Sequence, residues 1–169
     1  MTPSQDNADR RERLFGLIQD VKFAMFTTHD AAAGHLHSRP MTTLDTRRGD
    51  EDALWFFMSR SSGPVPELNG DTQVNVSYAD PSAENYVSVT GVAQVVDDRA
   101  RKQALWTAAA EAWFDGVDDP DLALVRVRIE HADYWNVRDN KLVQLYKRAE
   151  AMLTGNPPQL AERARVQPH

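Results

Sequence analysis

Basic and hydroxyl residues collect at two points where strand-like apolar runs meet loops. The first is Arg39, within residues 35–44 (HLHSRPMTTL), and the second is residues 59–63 (SRSSG), which lead into a short helix. A guanidinium, hydroxyl donors and the free N–H groups of a helix start bind phosphate well. Between the two points, residues 54–58 (LWFFM) form an apolar wall suited to an aromatic ring. The pattern indicates a planar aromatic cofactor with an anionic tail.

Three histidines offer a second kind of chemistry. His35 and His37 share one face of a predicted strand, and His29 lies across the predicted hairpin from them. Three imidazoles are a potential metal site. No acidic partner is apparent from the spacing, so we expect no metal here. The chain also carries no nucleophile elbow, P-loop or glycine-rich dinucleotide motif.

Composition narrows the function classes. The 169 residues, 41% hydrophobic and 26% charged, predict one soluble globular domain. The chain has no cysteine, which excludes disulfides, thiolate metal sites and thiol redox catalysis, so redox chemistry requires a bound cofactor. The net charge of -6 argues against nucleic-acid binding. No apolar run is long enough to cross a membrane and the N-terminus resembles no secretory signal, so we expect a cytoplasmic protein.

Hydrophobic periodicity predicts a mainly β chain with flanking helices, an α+β protein. Residues 9–22 form an amphipathic helix, and residues 98–114 form a second helix capped by Asp97 or Asp98. A short helix surrounds Glu67. Strands joined by short turns indicate an antiparallel sheet that closes into a barrel. The predicted strands are residues 22–30, 35–45, 52–60, 72–80, 84–98 and 122–137, with 141–148 as a candidate last strand.

Two local features and the chain ends complete the prediction. Gly91 inside the fifth strand indicates a bulge or a close backbone approach. Residues 52–60 are apolar enough to be covered on both faces. We assign residues 1–9 to a flexible N-terminus, 10–148 to the folded domain, and 149–169 to a loose C-terminal tail.

An ordered set of segments resembles the FMN-binding split-barrel proteins of the pyridoxamine phosphate oxidase-like family, most closely their bacterial general stress protein branch. The likeness covers about residues 10–140. Each segment alone is weak evidence for the family, but the set is specific because the segments follow in the family's order. The segments are FAMFTT (23–28), HLHSRPMTTL (35–44), ALWFFMSRSSG (53–63), PELNGDTQVNVSYADP (66–81), YVSVTGVAQVVDD (86–98) and DYWNV (133–137).

The resemblance implies a six-stranded antiparallel split β-barrel that forms a homodimer, with FMN or FAD bound between the subunits. Arg39 would contact the flavin phosphate, with Ser61 and Ser62 as further donors. Residues along the ring and the ribityl chain would supply walls and backbone polar groups, with the late tryptophan in the same or the other subunit. These residues are Pro40, Met41, Trp55, Phe56, Phe57, Met58 and Trp135.

One departure from the family pattern affects the phosphate loop. Relatives commonly carry a lysine there, whereas this chain has Pro64 or Pro66, and Arg60 is the candidate substitute. The extra basic and hydroxyl residues of the vitamin B6 oxidase are not found, so that activity is not expected. Three alternatives stay open: a flavin-dependent oxidoreductase, a flavin-binding stress sensor or reservoir without turnover, and a split barrel that prefers haem or a deazaflavin. No catalytic residue or substrate is assigned.

Overall fold

The computed structural model describes residues 3–21, 23–45, 52–136 and 162–166, with side chains for 8–21, 23–45 and 52–135. Within these ranges the chain forms three α-helices, a short 3₁₀ turn and seven strands. The helices are α1 (Pro3–Asp20), α2 (Pro64–Glu67) and α3 (Arg99–Leu105), and the 3₁₀ turn is Ala110–Ala112. The strands are β1 (Ala24–Asp30), β2 (His35–Met41), β3 (Ala53–Ser59), β4 (Gln73–Asp80), β5 (Asn85–Val96), β6 (Leu122–Asn136) and β7 (Glu162–Val166).

The strands form one antiparallel sheet in the order β2-β1-β4-β5-β6-β3, and β7 pairs with β6. The sheet curls into a half-barrel around a core that the helices α1 and α2 help to fill. The predicted six-stranded antiparallel split-barrel architecture with flanking helices is confirmed. Because β2 and β3 end the strand order, the barrel keeps an opening between these two edges.

Alternation along the strands places apolar side chains inside the curl. On β4, Val74, Val76 and Tyr78 point inward and are buried, and burial raises the pKa of the Tyr78 phenol. The strand β3 is buried on both faces, as predicted. Its residues Leu54, Phe56 and Met58 enter the barrel core. The intervening Ala53 and Trp55 join a second cluster outside the barrel, with Leu44, Leu105 and Leu124.

Gly91 allows β5 and β6 to approach closely. The β5–β6 register shifts between Thr90 and Gly91, which confirms the predicted bulge. A Cβ atom on Gly91 would lie 2.3 Å from the carbonyl oxygen of Arg128 and 2.9 Å from Cγ1 of Val127. Both distances are below van der Waals contact, so no larger residue fits without moving the β6 backbone.

The predicted helix over residues 98–114 is wrong beyond its first two turns. Asp98 caps α3 by accepting a hydrogen bond from the Arg101 N–H, but the helix ends at Leu105. Trp106 is extended, and its ring packs against Phe57 with centroids 5.7 Å apart. This contact with β3 replaces the continued helix that the alanine-rich sequence favours. Trp113, in the stretch predicted as helix, is 81% exposed.

Two elements lie at the chain ends. The helix α1 begins at Pro3, inside the segment assigned as flexible, and proline suits the first helical position. The strand β7 lies in the predicted loose tail and pairs with residues 132–136 of β6, a stretch that β3 leaves uncovered. The candidate strand 141–148 lies outside the described residues. Among the described helices, none has the length and apolar character that a membrane span requires.

We predict that Gly91→Ala lowers the free energy of unfolding by about 2–3 kcal/mol, because overpacking a tight site forces backbone shifts. Urea denaturation measures the change. Gly16→Ala is the matched control, since Gly16 lies in α1 with open space where a Cβ would be. The control should stabilise the chain by up to about 1 kcal/mol through helix propensity. Equal effects of the two substitutions would contradict the close approach at Gly91.

Candidate functional site

The candidate site is the opening between the sheet edges β2 and β3. Two contacts span this opening. The N–H of Leu44 donates to the carbonyl oxygen of Trp55 at 2.9 Å, and Arg39 on β2 pairs with Glu67 on α2, the helix that follows β3. Pro40 is tolerated on β2 because an edge strand does not need every N–H in the ladder.

Backbone polar groups of β3 face the opening at every second residue. At the two ends of β3, the carbonyl oxygen of Asp52 accepts from the Ile129 N–H and the N–H of Arg60 donates to the carbonyl oxygen of Asp121, both on the β6 side. Trp55 lies an odd number of residues from both of these positions, and its carbonyl oxygen accepts a hydrogen bond from Leu44, on the side away from β6. Since backbone direction alternates along a strand, the N–H and C=O of Phe57 also point away from β6, into the opening. A planar ligand with polar edge atoms can bind to such an edge.

Arg39 lies on the core side of β2, because it is directly opposite the buried Phe26 on β1. Its Nη1 donates to Thr28 Oγ1 at 3.1 Å and to Glu67 Oε2 at 2.9 Å. Its Nη2 donates to Glu67 Oε1 and lies 2.7 Å from Nδ1 of His37. Four of the five guanidinium N–H groups therefore have acceptors, and the Nε–H remains.

Glu67 is a charged partner of this cluster. Its side chain is 13% exposed and that of Arg39 is 18% exposed, so water screens the pair only partly. The hydrogen bond from Arg39 lowers the pKa of the Glu67 carboxyl; burial opposes this shift, and the hydroxyl of Thr28 adds to it. Glu67 is thus ionised near neutral pH. Sequence reasoning missed this role, because Glu67 was only the marker of a short helix.

The serine bend that follows β3 also holds a carboxylate of the chain itself. Asp121 accepts hydrogen bonds from Ser59 Oγ at 2.7 Å and from the Ser61 N–H at 2.9 Å. The Ser62 hydroxyl donates to Ser59 Oγ at 2.9 Å. The Ser59 and Ser61 bonds lower the pKa of the Asp121 carboxyl. The predicted phosphate donors Ser61 and Ser62 are therefore arranged around Asp121.

Arg60 is directed to a different cavity. Its Nη2 lies 4.0 Å from Asp97, and both residues line a cavity of about 290 Å³ with Lys102. The lining of this cavity contains neither Arg39 nor the two serines. The substitution of Arg60 for the loop lysine stays a prediction, and it would require Arg60 to leave this position.

The other predicted contacts lie on both faces of the sheet. Met41 packs against the barrel core, and Phe56 and Met58 are buried in it. Pro40 is exposed, and its neighbour across the β1–β2 ladder, Met25, lines a cavity on the outer face. On the outer face of β3, Trp55 and Phe57 pack in the second cluster. Guanidinium groups lie over the Trp55 ring, with Arg101 5.1 Å and Arg126 6.0 Å from its centroid.

Trp135 lines the outer-face cavity, which has a volume of about 460 Å³. Three large apolar side chains at this cavity are unusually exposed: Phe23 at 56%, Met25 at 42% and Tyr86 at 41%. Arg39 is not part of its lining. This cavity therefore brings Trp135 close to Phe23, Met25 and Tyr86 but not to Arg39. The remaining lining residues are Ala24, Ser77, Tyr78, Ala79, Val87 and Ser88.

The three histidines do not converge. His29 pairs with Asp71 at 3.4 Å, and the rings of His35 and His37 have centroids 6.1 Å apart. Over the stretches whose side chains are described, no group of three or more His, Cys, Asp or Glu is placed to hold a metal ion.

Comparison with known proteins identifies the relatives of this chain. A family model described as "Pyridoxamine 5'-phosphate oxidase like" matches residues 9–159. Protein bli-3 of Neurospora crassa is 32% identical over 169 aligned positions, covering 90% of this chain and 80% of that protein. General stress protein 26 of Bacillus subtilis is 24% identical over 140 positions, covering 81% of this chain and 96% of that protein.

Solved structures share the fold. A protein described as a candidate general stress protein 26 from Jannaschia sp. superimposes with a TM-score of 0.72 at 23% identity, over 95% of this chain and 99% of that chain. The general stress FMN/FAD binding protein of Xanthomonas citri gives a TM-score of 0.64 at 25% identity, over 76% of this chain and 89% of that chain. The recognition of the family from sequence is confirmed.

We predict that the stability contributed by Glu67 depends on pH. A carboxyl whose folded pKa lies below its unfolded value, near 4.5, stabilises the fold above that value and loses this effect as pH falls further. Glu67→Gln should therefore destabilise the chain by about 1–3 kcal/mol near pH 7. The difference from wild type should shrink below about pH 4. Urea denaturation of the variant and the wild type, near pH 7 and below about pH 4, measures this difference in unfolding free energy.

The control for that measurement is Glu111→Gln, which removes the same charge from an exposed position of the 3₁₀ turn. Its difference from wild type should stay small at both pH values. A Glu67→Gln effect that is the same at neutral and acidic pH would show that the ion pair with Arg39 does not stabilise the fold.

Proposed function

We propose, given that this chain belongs to the pyridoxamine 5'-phosphate oxidase-like family, that it binds a flavin, FMN or FAD, at the opening between β2 and β3. The single observation that carries the proposal is that the backbone groups of Phe57 on β3 face away from β6, toward the opening that also holds the guanidinium of Arg39. Backbone N–H and C=O groups match the polar edge of a flavin ring, and a guanidinium matches a phosphate. The related Xanthomonas protein is described as binding FMN or FAD.

The described residues fit a flavin in shape and in donor chemistry. Phe57 would offer its backbone groups to the ring, and Met41 and Pro40 would border it. Arg39 would bind the phosphate once its contacts with Glu67 rearrange. A bound flavin would supply hydride or electron transfer. The chain itself would bind and orient the ring and exclude water from it.

The proposal includes a homodimer in which the outer-face cavity meets a second copy of the chain. Phe23, Met25 and Tyr86 form a contiguous, solvent-exposed apolar surface, which monomers rarely keep. Trp135 in this cavity would then approach the flavin of the other subunit. A cytoplasmic location also remains part of the proposal.

A second candidate function is flavin binding without turnover, as a stress sensor or reservoir. The observation in its favour is that Glu67 and His37, two ionisable groups beside Arg39, are both in contact with its guanidinium. Adding NADH or NADPH to the flavin-loaded protein without oxygen separates the two functions. Bleaching of the flavin absorbance within seconds supports an oxidoreductase, and an unchanged spectrum with each donor supports a binder.

The identity of the ligand is tested by titrating the apoprotein with FMN, FAD, pyridoxal phosphate, haem and a deazaflavin. Quenching of flavin fluorescence with a dissociation constant in the micromolar range or below supports the proposal. Binding of haem, or of pyridoxal phosphate alone, would overturn it in favour of another split-barrel ligand.

We predict that Arg39→Ala weakens FMN binding by about 2 kcal/mol, the scale of a charge-assisted hydrogen bond. Riboflavin, which has no phosphate, should lose much less affinity. Fluorescence titration of both ligands measures the difference. Arg128→Ala is the control, because Arg128 is exposed and pairs with Glu130 on β6. An equal loss for FMN and riboflavin would show that Arg39 does not bind the phosphate.

We predict that Met25→Lys converts the dimer into a monomer and lowers flavin affinity at least tenfold. The charge would be buried in the apolar contact between subunits, which is costly without a partner. Analytical ultracentrifugation and FMN titration measure the two effects. Gln103→Lys adds the same charge at an exposed position of α3 and should change neither. A dimer that persists in Met25→Lys would place the interface elsewhere.

A further inference from the structure

We propose that Glu67 is the residue that sets how strongly this protein prefers a phosphorylated flavin over riboflavin. Glu67 is an internal anion bound to Arg39, and the flavin phosphate has to compete with it. This inference rests on the proposed flavin site and adds a specificity determinant to it. Its consequence is a wild-type protein that prefers FMN over riboflavin less strongly than a variant without the Glu67 charge does.

The first argument is the number of donors that Arg39 has left. A guanidinium binds phosphate tightly when two parallel N–H groups contact two oxygens. Both terminal nitrogens of Arg39 already donate to the carboxylate of Glu67, and their other hydrogens face Thr28 and His37. The Nε–H can make one hydrogen bond but no bidentate contact. A phosphate therefore binds Arg39 in the bidentate manner only by displacing Glu67.

The second argument is electrostatic. Arg39 and Glu67 together carry no net charge, and both are mostly shielded from water. A phosphate that enters this cluster is attracted by the guanidinium and repelled by a carboxylate at nearly the same distance. Lowering of the Glu67 pKa agrees with a strong pair. The phosphate thus gains only the difference between its own contact with Arg39 and the one it replaces.

The third argument is that the nearby serine bend does not compensate. Ser59 and Ser61 donate to Asp121, and Ser62 donates to Ser59. A phosphate at this bend would meet a second carboxylate. Asp121 therefore already occupies the Ser59 hydroxyl and the Ser61 N–H, as Glu67 already occupies the guanidinium of Arg39.

Glu67 has a second hydrogen-bond partner besides Arg39. The hydroxyl of the buried Thr28 donates to Glu67 Oε2. Glu67 is the last residue of the four-residue helix α2, so its side chain can rotate without breaking a long helix. Displacement by phosphate is therefore a local rearrangement rather than an unfolding of the site.

The test compares dissociation constants for FMN and riboflavin in wild type, Glu67→Gln and the control Glu111→Gln. The glutamine keeps the shape and an acceptor for Arg39 but removes the charge. We expect the riboflavin-to-FMN ratio of dissociation constants to rise about tenfold in Glu67→Gln, the scale of one charge-assisted contact. The ratio should stay unchanged in Glu111→Gln. An unchanged ratio in Glu67→Gln overturns the proposal, and a lower ratio would make Glu67 a positioning residue for Arg39.

A double-mutant cycle tests whether Glu67 acts through Arg39. In an Arg39→Gln background, Glu67→Gln should no longer change the ratio. A change that persists would overturn the mechanism. Thermal melting followed by circular dichroism shows whether each variant is folded, and Glu67→Ser, whose side chain cannot reach Arg39, replaces Glu67→Gln if the latter is not.

The experiment separates this proposal from the proposed function. Wild-type protein that binds FMN and riboflavin supports the flavin site whatever the Glu67 variants do. Failure of wild type and every variant to bind either ligand overturns both proposals. Binding of FMN by Glu67→Gln but not by wild type would support the role of Glu67 in its strongest form.

Discussion

The ion pair of Arg39 with Glu67 holds together two parts of the chain that the sheet itself leaves apart. The strands β2 and β3 end the strand order and share no ladder with each other. Arg39 reaches from β2 to the short helix that follows β3, and Thr28 connects the pair to the buried wall of the barrel. The width of the opening, and hence what can bind there, depends on this contact.

A site built on an internal ion pair differs from one built on a free cation. A free guanidinium at the barrel edge would attract any small anion, and its desolvation would cost stability in the unliganded protein. Pairing with Glu67 removes both effects. In the proposed flavin site, the ligand would gain most of its affinity from the ring, through the β3 backbone near Phe57 and the apolar residues beside it. Binding energy would then come more from the planar part of the ligand than from its anionic tail.

Local patterns in the sequence predicted the parts of the fold that depend on neighbouring residues. Alternation located β4, a continuous apolar run indicated the two buried faces of β3, and a glycine inside a strand indicated the bulge at Gly91. The predicted second helix was too long, because helix propensity cannot register the contact of Trp106 with Phe57. The pairing of Arg39 with Glu67 spans 28 residues, so no local periodicity encodes it. Sequence resemblance indicated Arg39 as a phosphate ligand but could not reveal that its guanidinium is paired with Glu67.

The opening beside Arg39 and the outer-face cavity each lack a kind of group that the other provides. The opening beside Arg39 offers polar edge groups but has few aromatic side chains free to cover a ring, since Trp55 and Phe57 are packed in the second cluster. The outer-face cavity holds Trp135 and Tyr86 but presents no guanidinium in its lining. A planar, partly charged ligand needs both kinds of surface. In the proposed homodimer, the apposition of two copies would bring the two surfaces together, which is the physical reason for proposing that the ligand lies between subunits.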